Sequence, residues 1–161
     1  MVNLTKTKTR TPRDNNLRQE ILQIKRVSKA TTGGRSFRFG ALVLVKDEKR
    51  NAIAFIYSKA REAGGAIKKA SKKATKKMKI YFAKTPRTIN RDIIVKFKAT
   101  KILLKPAQIG SGISAGNVVN RLFKFLGIKD VSAKIIGSRN KINVINGIFQ
   151  ALEKLSDSEK I

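Results

Sequence analysis

The sequence predicts an α+β protein, three antiparallel strands and a helix followed by a β-β-α-β-α unit. Two observations carry this. Apolar residues recur at every second position before residue 60 and again around residue 97, and the period lengthens to three and four residues in three later stretches. A third observation sets the scale: 161 residues make one domain, or two small ones sharing a core.

Residues 1–18 hold basic and hydroxyl side chains, three Asn and a Pro without periodicity, which predicts a disordered basic arm. From Ile21 the chain reads as strand up to Thr31-Thr32-Gly33-Gly34. It resumes with Phe37, Phe39, Ala41, Val43 and Val45 on one face, giving a hairpin with a glycine-rich tip. The polar break Asp47-Glu48-Lys49-Arg50-Asn51 leads to a third strand marked by Ile53, Phe55 and Tyr57. Residues 59–79 contain no Pro and no β-branched run. Ala63, Ile67, Ala70, Ala74 and Met78 recur there in steps of three and four, the mark of an amphipathic helix.

Thr85-Pro86-Arg87 should interrupt the chain, because the residue before a proline is pushed to extended geometry. A boundary near residue 85 gives one subdomain over residues 19–84 and a second over 85–155, with 156–161 as a tail. In the second, Val95, Phe97 and Ala99 alternate with Lys96, Lys98 and Thr100, and Ile102-Leu103-Leu104 reads as a buried strand. Ser114 is the expected N-cap of a helix built on Val118, Val119, Leu122 and Leu126, with Gly127 as its left-handed stop. A short strand over 133–136 follows. In the final helix Asn140 is the expected cap, and Ile142, Ile145, Ile148, Phe149, Leu152 and Leu155 form the core face.

Charge narrows the function. The chain carries 37 Lys+Arg against 10 Asp+Glu, a net charge of +27, and so expects a polyanionic partner. With 41% apolar residues it can still bury a core, unlike a disordered polycation. Without Cys or His it lacks disulfides, thiolate chemistry, a zinc site and the usual base near neutral pH. The ten acids are scattered without an evident pair, so neither an enzyme nor a cofactor is expected. Apolar runs fall far short of the ~20 residues that span a membrane. The N-terminal residues lack the apolar core of a secretory signal, and no amphipathic Arg-rich helix follows to suggest an organellar leader.

Between residues 63 and 91 there are ten Lys or Arg and no acid. Lys68, Lys69, Lys72, Lys73, Lys76 and Lys77 form a doublet every four residues, which stacks them in one stripe. Most charge runs are simply solvated faces. Six lysines without an offsetting acid are better explained by a phosphate-facing surface. The hairpin tip is flanked by Lys25, Arg26, Lys29, Arg35 and Arg38, and Lys59 and Arg61 complete the basic set expected to meet RNA. Gly110-Ser111-Gly112 precedes a helix as a phosphate cradle would. Yet no Gly-Lys-Ser/Thr follows, and glycines at 110, 112 and 116 miss the dinucleotide spacing, which leaves a tight turn. Phe37, Phe39 and Phe55 sit at strand spacing on aliphatic faces and are expected to pack beneath the lysine-bearing helix rather than to stack on bases.

Five blocks in order, RVSKATTGGRSFRFGALVLV, SKAREAGGAIKKA, KILLKPAQIGSGISAGNVV, GIKDV and GSRNKINVINGIFQAL, resemble the bacterial family of small-subunit ribosomal protein five over residues 20–155. The resemblance implies a double-stranded-RNA-binding-like β-β-β-α subdomain and a C-terminal subdomain with a left-handed β-α-β crossover. It implies a structural constituent of the small ribosomal subunit, in the cytoplasm of a bacterium or in an organelle with bacterial-type ribosomes. Such a protein binds 16S-type rRNA, helps assemble the body and head, neighbours small-subunit proteins four and eight, and with proteins three and four lines the path by which mRNA enters. Neither a membrane nor a second copy of the chain is an implied partner. Residues 27–38 would lie against RNA beside the spectinomycin pocket, with Ser28, Lys29, Gly33, Gly34 and Arg35 matching the family's contact block. Pro106, Ala107, Gly110, Gly112 and Gly116 match the block that meets small-subunit protein four, which bears on decoding accuracy. The chain departs from the family in DEKRN between the second and third strands, in AIAFIYSKA without glycines, and in NKINV for NPINV. Two other readings compete: a free-standing double-stranded-RNA binder, and a nucleotide binder, since the second subdomain also resembles the fold of small-metabolite kinases. The latter fails on chain length and on the missing catalytic pair.

Overall fold

The computed structural model describes residues 17–81 and 87–157, which belong to two compact units that part between Lys79 and Ile80. Residues 1–16 of the expected arm, the Thr85-Pro86 connector and residues 158–161 of the expected tail lie outside the described residues.

The first unit runs β1 (Leu17–Thr31), β2 (Gly34–Asp47), β3 (Ala52–Ala60) and α1 (Ala63–Thr75), and its sheet closes on β4 (Lys79–Ile80), which straddles the boundary, in the order β1-β2-β3-β4. Leu17 and Arg18, read as arm, open β1, because Leu17 and Ile21 reach the margin of the core under α1. β1 and β2 pair from Leu17 opposite Asp47 to Thr31 opposite Gly34, with one register shift between Ile21 and Gln23. The polar break closes as a turn: the Asp47 carboxylate accepts the Lys49 amide at 3.0 Å, and Asn51 takes φ +51°. Asn tolerates that left-handed position better than most residues, which is how DEKRN dispenses with glycine.

Ala66, Ala70 and Ala74 of α1 lie on Ala41, Val43, Val45 and Ala54 of the sheet, all buried. Small side chains on both sides let the helix sit close, and Ser71, buried among them, donates its hydroxyl to Gln19 Oε1 at 2.8 Å. The helix is shorter than the 59–79 its periodicity predicts. Lys59 is paired with Gly40 in the β2–β3 ladder, and the Lys76-Lys77 doublet sits in the closing turn, where the Lys77 amide donates to the Ala74 carbonyl at 2.9 Å.

The three phenylalanines depart from expectation. α1 covers β2 only along its aliphatic stretch, so Phe37 lies beyond the helix and is 46% exposed, and Phe39 is half-buried. Phe55 pairs with Leu44, whose side chain points away from the Ala41-Val43-Val45 face. None of the three belongs to the core under α1.

The second unit contains β5 (Ile93–Phe97), β6 (Thr100–Pro106), β7 (Ile113–Ser114), α2 (Asn117–Leu126), β8 (Val131–Gly137) and α3 (Lys141–Asp157), with sheet order β5-β6-β8-β7. β5, β6 and β8 are antiparallel neighbours. β7 runs parallel to β8, so β7-α2-β8 is a β-α-β unit. Ala99, expected in strand alternation, instead sits with Lys98 (φ +52°) in the two-residue β5–β6 turn. Ser114, expected to cap α2, is held in β7 opposite Ser132, and Gly116 becomes the cap residue, its carbonyl accepting the Asn120 amide at 2.9 Å. Gly127 closes α2 at φ +95°, and Asn140 Oδ1 accepts the Ile142 amide at 3.2 Å, both as expected. Ile102, Leu104, Leu122, Phe123, Ile145, Ile148 and Leu152 are fully buried between the sheet and the helices. Ser156 and Asp157, read as tail, finish α3.

Candidate nucleic-acid interface

Beyond the end of α1 the β1–β2 hairpin continues as a two-stranded arm whose tip is the turn Thr31-Thr32-Gly33-Gly34. Gly34 takes φ +131°, a region open in practice only to glycine, and its carbonyl accepts the Thr31 hydroxyl at 2.9 Å. Gly33 adopts no such angle. A Cβ at either glycine would meet no atom within 4 Å, so the tip is open to a partner.

Strand register sorts the arm's cations between two faces. Lys25 is opposite Gly40, which is opposite Lys59; Val27 is opposite Arg38; Lys29 is opposite Ser36. Lys25, Lys29, Arg38 and Lys59 therefore share one face. Arg26 and Arg35 lie on the other with Ser28, the face that α1 covers farther along the sheet. All are exposed, as is Arg61 in the turn before α1. The structure thus gathers Lys25, Arg26, Ser28, Lys29, Gly33, Gly34, Arg35 and Arg38 into the arm, with Lys59 at its base.

Lys68, Lys69, Lys72 and Lys73 are exposed on α1, opposite its alanine row, and Lys76 and Lys77 continue the stripe beyond its last turn. Among residues 63–79 no acid interrupts them. Cations at the C-terminal end of a helix also complement its dipole, which partly offsets their mutual repulsion.

The glycine-rich turn of the second unit is a different object. Gly110 and Gly112 hold φ +92° and +73°. Their amides donate to one oxygen, Asp130 Oδ1, at 3.2 and 3.0 Å, while the Ser111 amide donates to the Gln108 carbonyl. The other carboxylate oxygen accepts Arg87 Nε at 2.8 Å. Asp130 is only 2% exposed, and the Arg87 hydrogen bond, followed by the Gly112 amide, holds its carboxyl below the ordinary range. The three successive amides that a phosphate cradle would need are therefore spent inward on the protein's own acceptors. This removes the nucleotide-binding reading on geometric grounds. Asp130 and Arg87 organise the turn that carries Pro106, Ala107, Gly110, Gly112 and Gly116, and sequence reasoning missed both. Their only trace in the chain is an acid and a base 43 positions apart.

Known proteins share this layout. Residues 17–80 match the family model for ribosomal protein S5, N-terminal domain, and residues 95–161 match that for ribosomal protein S5, C-terminal domain. Small ribosomal subunit protein uS5 of Protochlamydia amoebophila is 39% identical over 96% of this chain and 91% of its own length. The uS5 proteins of Granulibacter bethesdensis (40% identical, 88% and 74% covered) and Anaplasma phagocytophilum (37%, 96% and 89%) are similar to it as well. The matched models and relatives describe a structural ribosomal protein of bacteria, not an enzyme. Two matched domains in the expected order, each coinciding with one of the two sheet-and-helix units, place the chain in the ribosomal protein S5 family.

Proposed function

We propose that this chain is a structural constituent of the small ribosomal subunit and binds 16S-type rRNA through the arm and the lysine stripe of its first unit. One observation carries the reading: every cation expected to meet RNA is exposed, and all of them lie on the β1–β2 arm, at its base, or along α1 and the turns at its ends. Duplex RNA is met largely through phosphates and shape, which suits an extended cationic surface better than a pocket.

The finer assignments follow the family resemblance. The tip, with Ser28, Lys29, Gly33, Gly34 and Arg35, lies against rRNA near the spectinomycin pocket. The turn bearing Pro106, Ala107, Gly110, Gly112 and Gly116 meets small-subunit protein four, protein eight is a second neighbour, and with protein three the chain lines the path of incoming mRNA and influences decoding accuracy. Ile109, 77% exposed between Ala107 and Gly110, is an apolar side chain held outward by the Asp130 bracket, a suitable anchor for a protein neighbour.

Sedimentation tests the reading. The full chain should cofractionate with small subunits in high-salt gradients, because assembly adds many buried contacts to the electrostatic ones. Release into the free pool with retained affinity for generic duplex RNA would instead establish the free-standing binder.

A further inference from the structure

The arm holds a pair of side chains that phosphate neutralisation does not require. Phe37 is 46% exposed on β2, a strand that is fully sealed from Ala41 to Val45. The guanidinium carbon of Arg26 lies 3.9 Å from the centre of the Phe37 ring, the spacing of a face-on cation–π stack. Register explains the meeting. Arg26 is opposite Phe39 and Ser28 is opposite Phe37, so Arg26 and Phe37 are diagonal neighbours on one face of the arm. The ring holds the guanidinium flat before any partner arrives, which lowers the ordering cost of a third plane.

We infer that the Arg26–Phe37 pair is a docking platform for one unpaired nucleobase, which continues the stack on the outer face of the guanidinium. The inference rests on the RNA-binding function proposed above and adds the part of the RNA that the arm recognises. Charge selects the occupant: Arg35 follows on the same face, and Lys25, Lys29 and Arg38 line the reverse, so a strand laid along the arm meets phosphate partners on either side. Large apolar neighbours lie only on the core side of the pair, where Phe39 is half-buried and Ile24 is 39% exposed; towards the tip the face carries Ser28, Ala30 and Arg35, and cations flank it on both sides of the arm. Stacking on arginine and aromatic planes is how proteins hold splayed-out RNA bases, and it is indifferent to base identity. A base inside a duplex cannot take part.

The test uses the full chain with two probes: a single-stranded RNA octamer carrying one 2-aminopurine, and a fully paired RNA duplex of the same length. Binding of the octamer should quench 2-aminopurine fluorescence. Arg26→Lys keeps the charge and loses the plane; Phe37→Leu keeps an apolar group and loses the ring. Each should weaken octamer binding roughly 5- to 100-fold, abolish the quench and leave the log–log salt slope unchanged. The double variant should be no weaker than the worse single one, and Phe37→Leu should leave both duplex affinity and melting temperature unmoved. Lys29→Ala should show the converse pattern, a slope reduced by about 0.7 with the quench retained. Wild-type affinity and quenching in both stack variants, or an equal loss on the duplex, overturns the platform while leaving the functional reading intact. A wild-type chain with no salt-dependent affinity for either RNA removes the functional reading itself.

Discussion

Asp130 keeps its charge although it is 2% exposed, because the Arg87 side chain and two backbone amides all donate to it. Its folded carboxyl is therefore held below the ordinary value of 3.8. A carboxyl with a depressed folded pKa stabilises the fold at pH values above its unfolded pKa and loses that contribution as pH falls through the folded one. Asp130→Asn should accordingly melt lower than wild type at pH 7, and the gap should narrow below about pH 4, where the wild-type carboxyl takes up its proton. The amide also sets an NH2 group against the Arg87 donor or the glycine amides, whichever way it turns. Melts at pH 7 and pH 3 check this, and a gap of constant size would mean that carboxylate charge does not hold the turn. Residues of this kind are the least legible in a sequence. Glycines at 110 and 112 announce a turn, but the acceptor of their amides lies 20 and 18 positions on. Phe37 was illegible for a related reason: alternation tells which face a residue takes, not whether anything covers it.

At the scale of elements, period and length decided what could be read. β2, β3, α1 and α3 show several turns of their period and are evident in the chain, whereas β4 and β7 are two residues long and have none to show. Helix limits slipped where a neighbouring ladder claimed the residues, as β3 claimed Lys59 and β7 claimed Ser114. The hairpin tip was legible as a pair of glycines but not as two unequal positions. Gly34 at φ +131° is in territory that carries about 1–3 kcal/mol of strain for other residues, and Gly33 is not. Gly34→Val should therefore lower amide protection in the ladder from Lys29 to Ser36, with Gly33→Val leaving it near wild type. The arm stands clear of the core, so local opening relieves the strain and the global melt should shift by about 1 kcal/mol or less in both. Hydrogen exchange separates the two cases. If RNA affinity falls equally in both, the side chain itself blocks the partner; if only Gly34→Val binds weakly, the shape of the turn is what RNA reads.

Over the whole molecule, net charge of +27 is an energetic burden that the apolar cores must outweigh. Residues 17–79 hold eighteen Lys or Arg against four acids, and residues 87–157 thirteen against four, so repulsion is steeper in the first unit, where the arm and stripe lie. Within the helical part of the stripe, Lys68 and Lys72, and Lys69 and Lys73, are like charges four residues apart. Each such pair destabilises a helix by about 0.2–0.5 kcal/mol at low salt. A surface shaped only for folding would not retain them, and a surface shaped for RNA must. The two roles predict opposite signs in one variant. Lys69→Gln with Lys72→Gln should raise the melting temperature of the free chain slightly at low ionic strength, an effect that fades near 1 M salt as the Debye length shrinks to about 3 Å. The same change should flatten the log–log salt dependence of rRNA binding by about 0.7–0.9 for each phosphate no longer neutralised, about 1.4–1.8 when both lysines meet phosphate. Melting and salt titration of the same preparation decide between them: a lower melting temperature with an unchanged slope would make the stripe a solvated structural face, and RNA recognition would then fall to the arm alone.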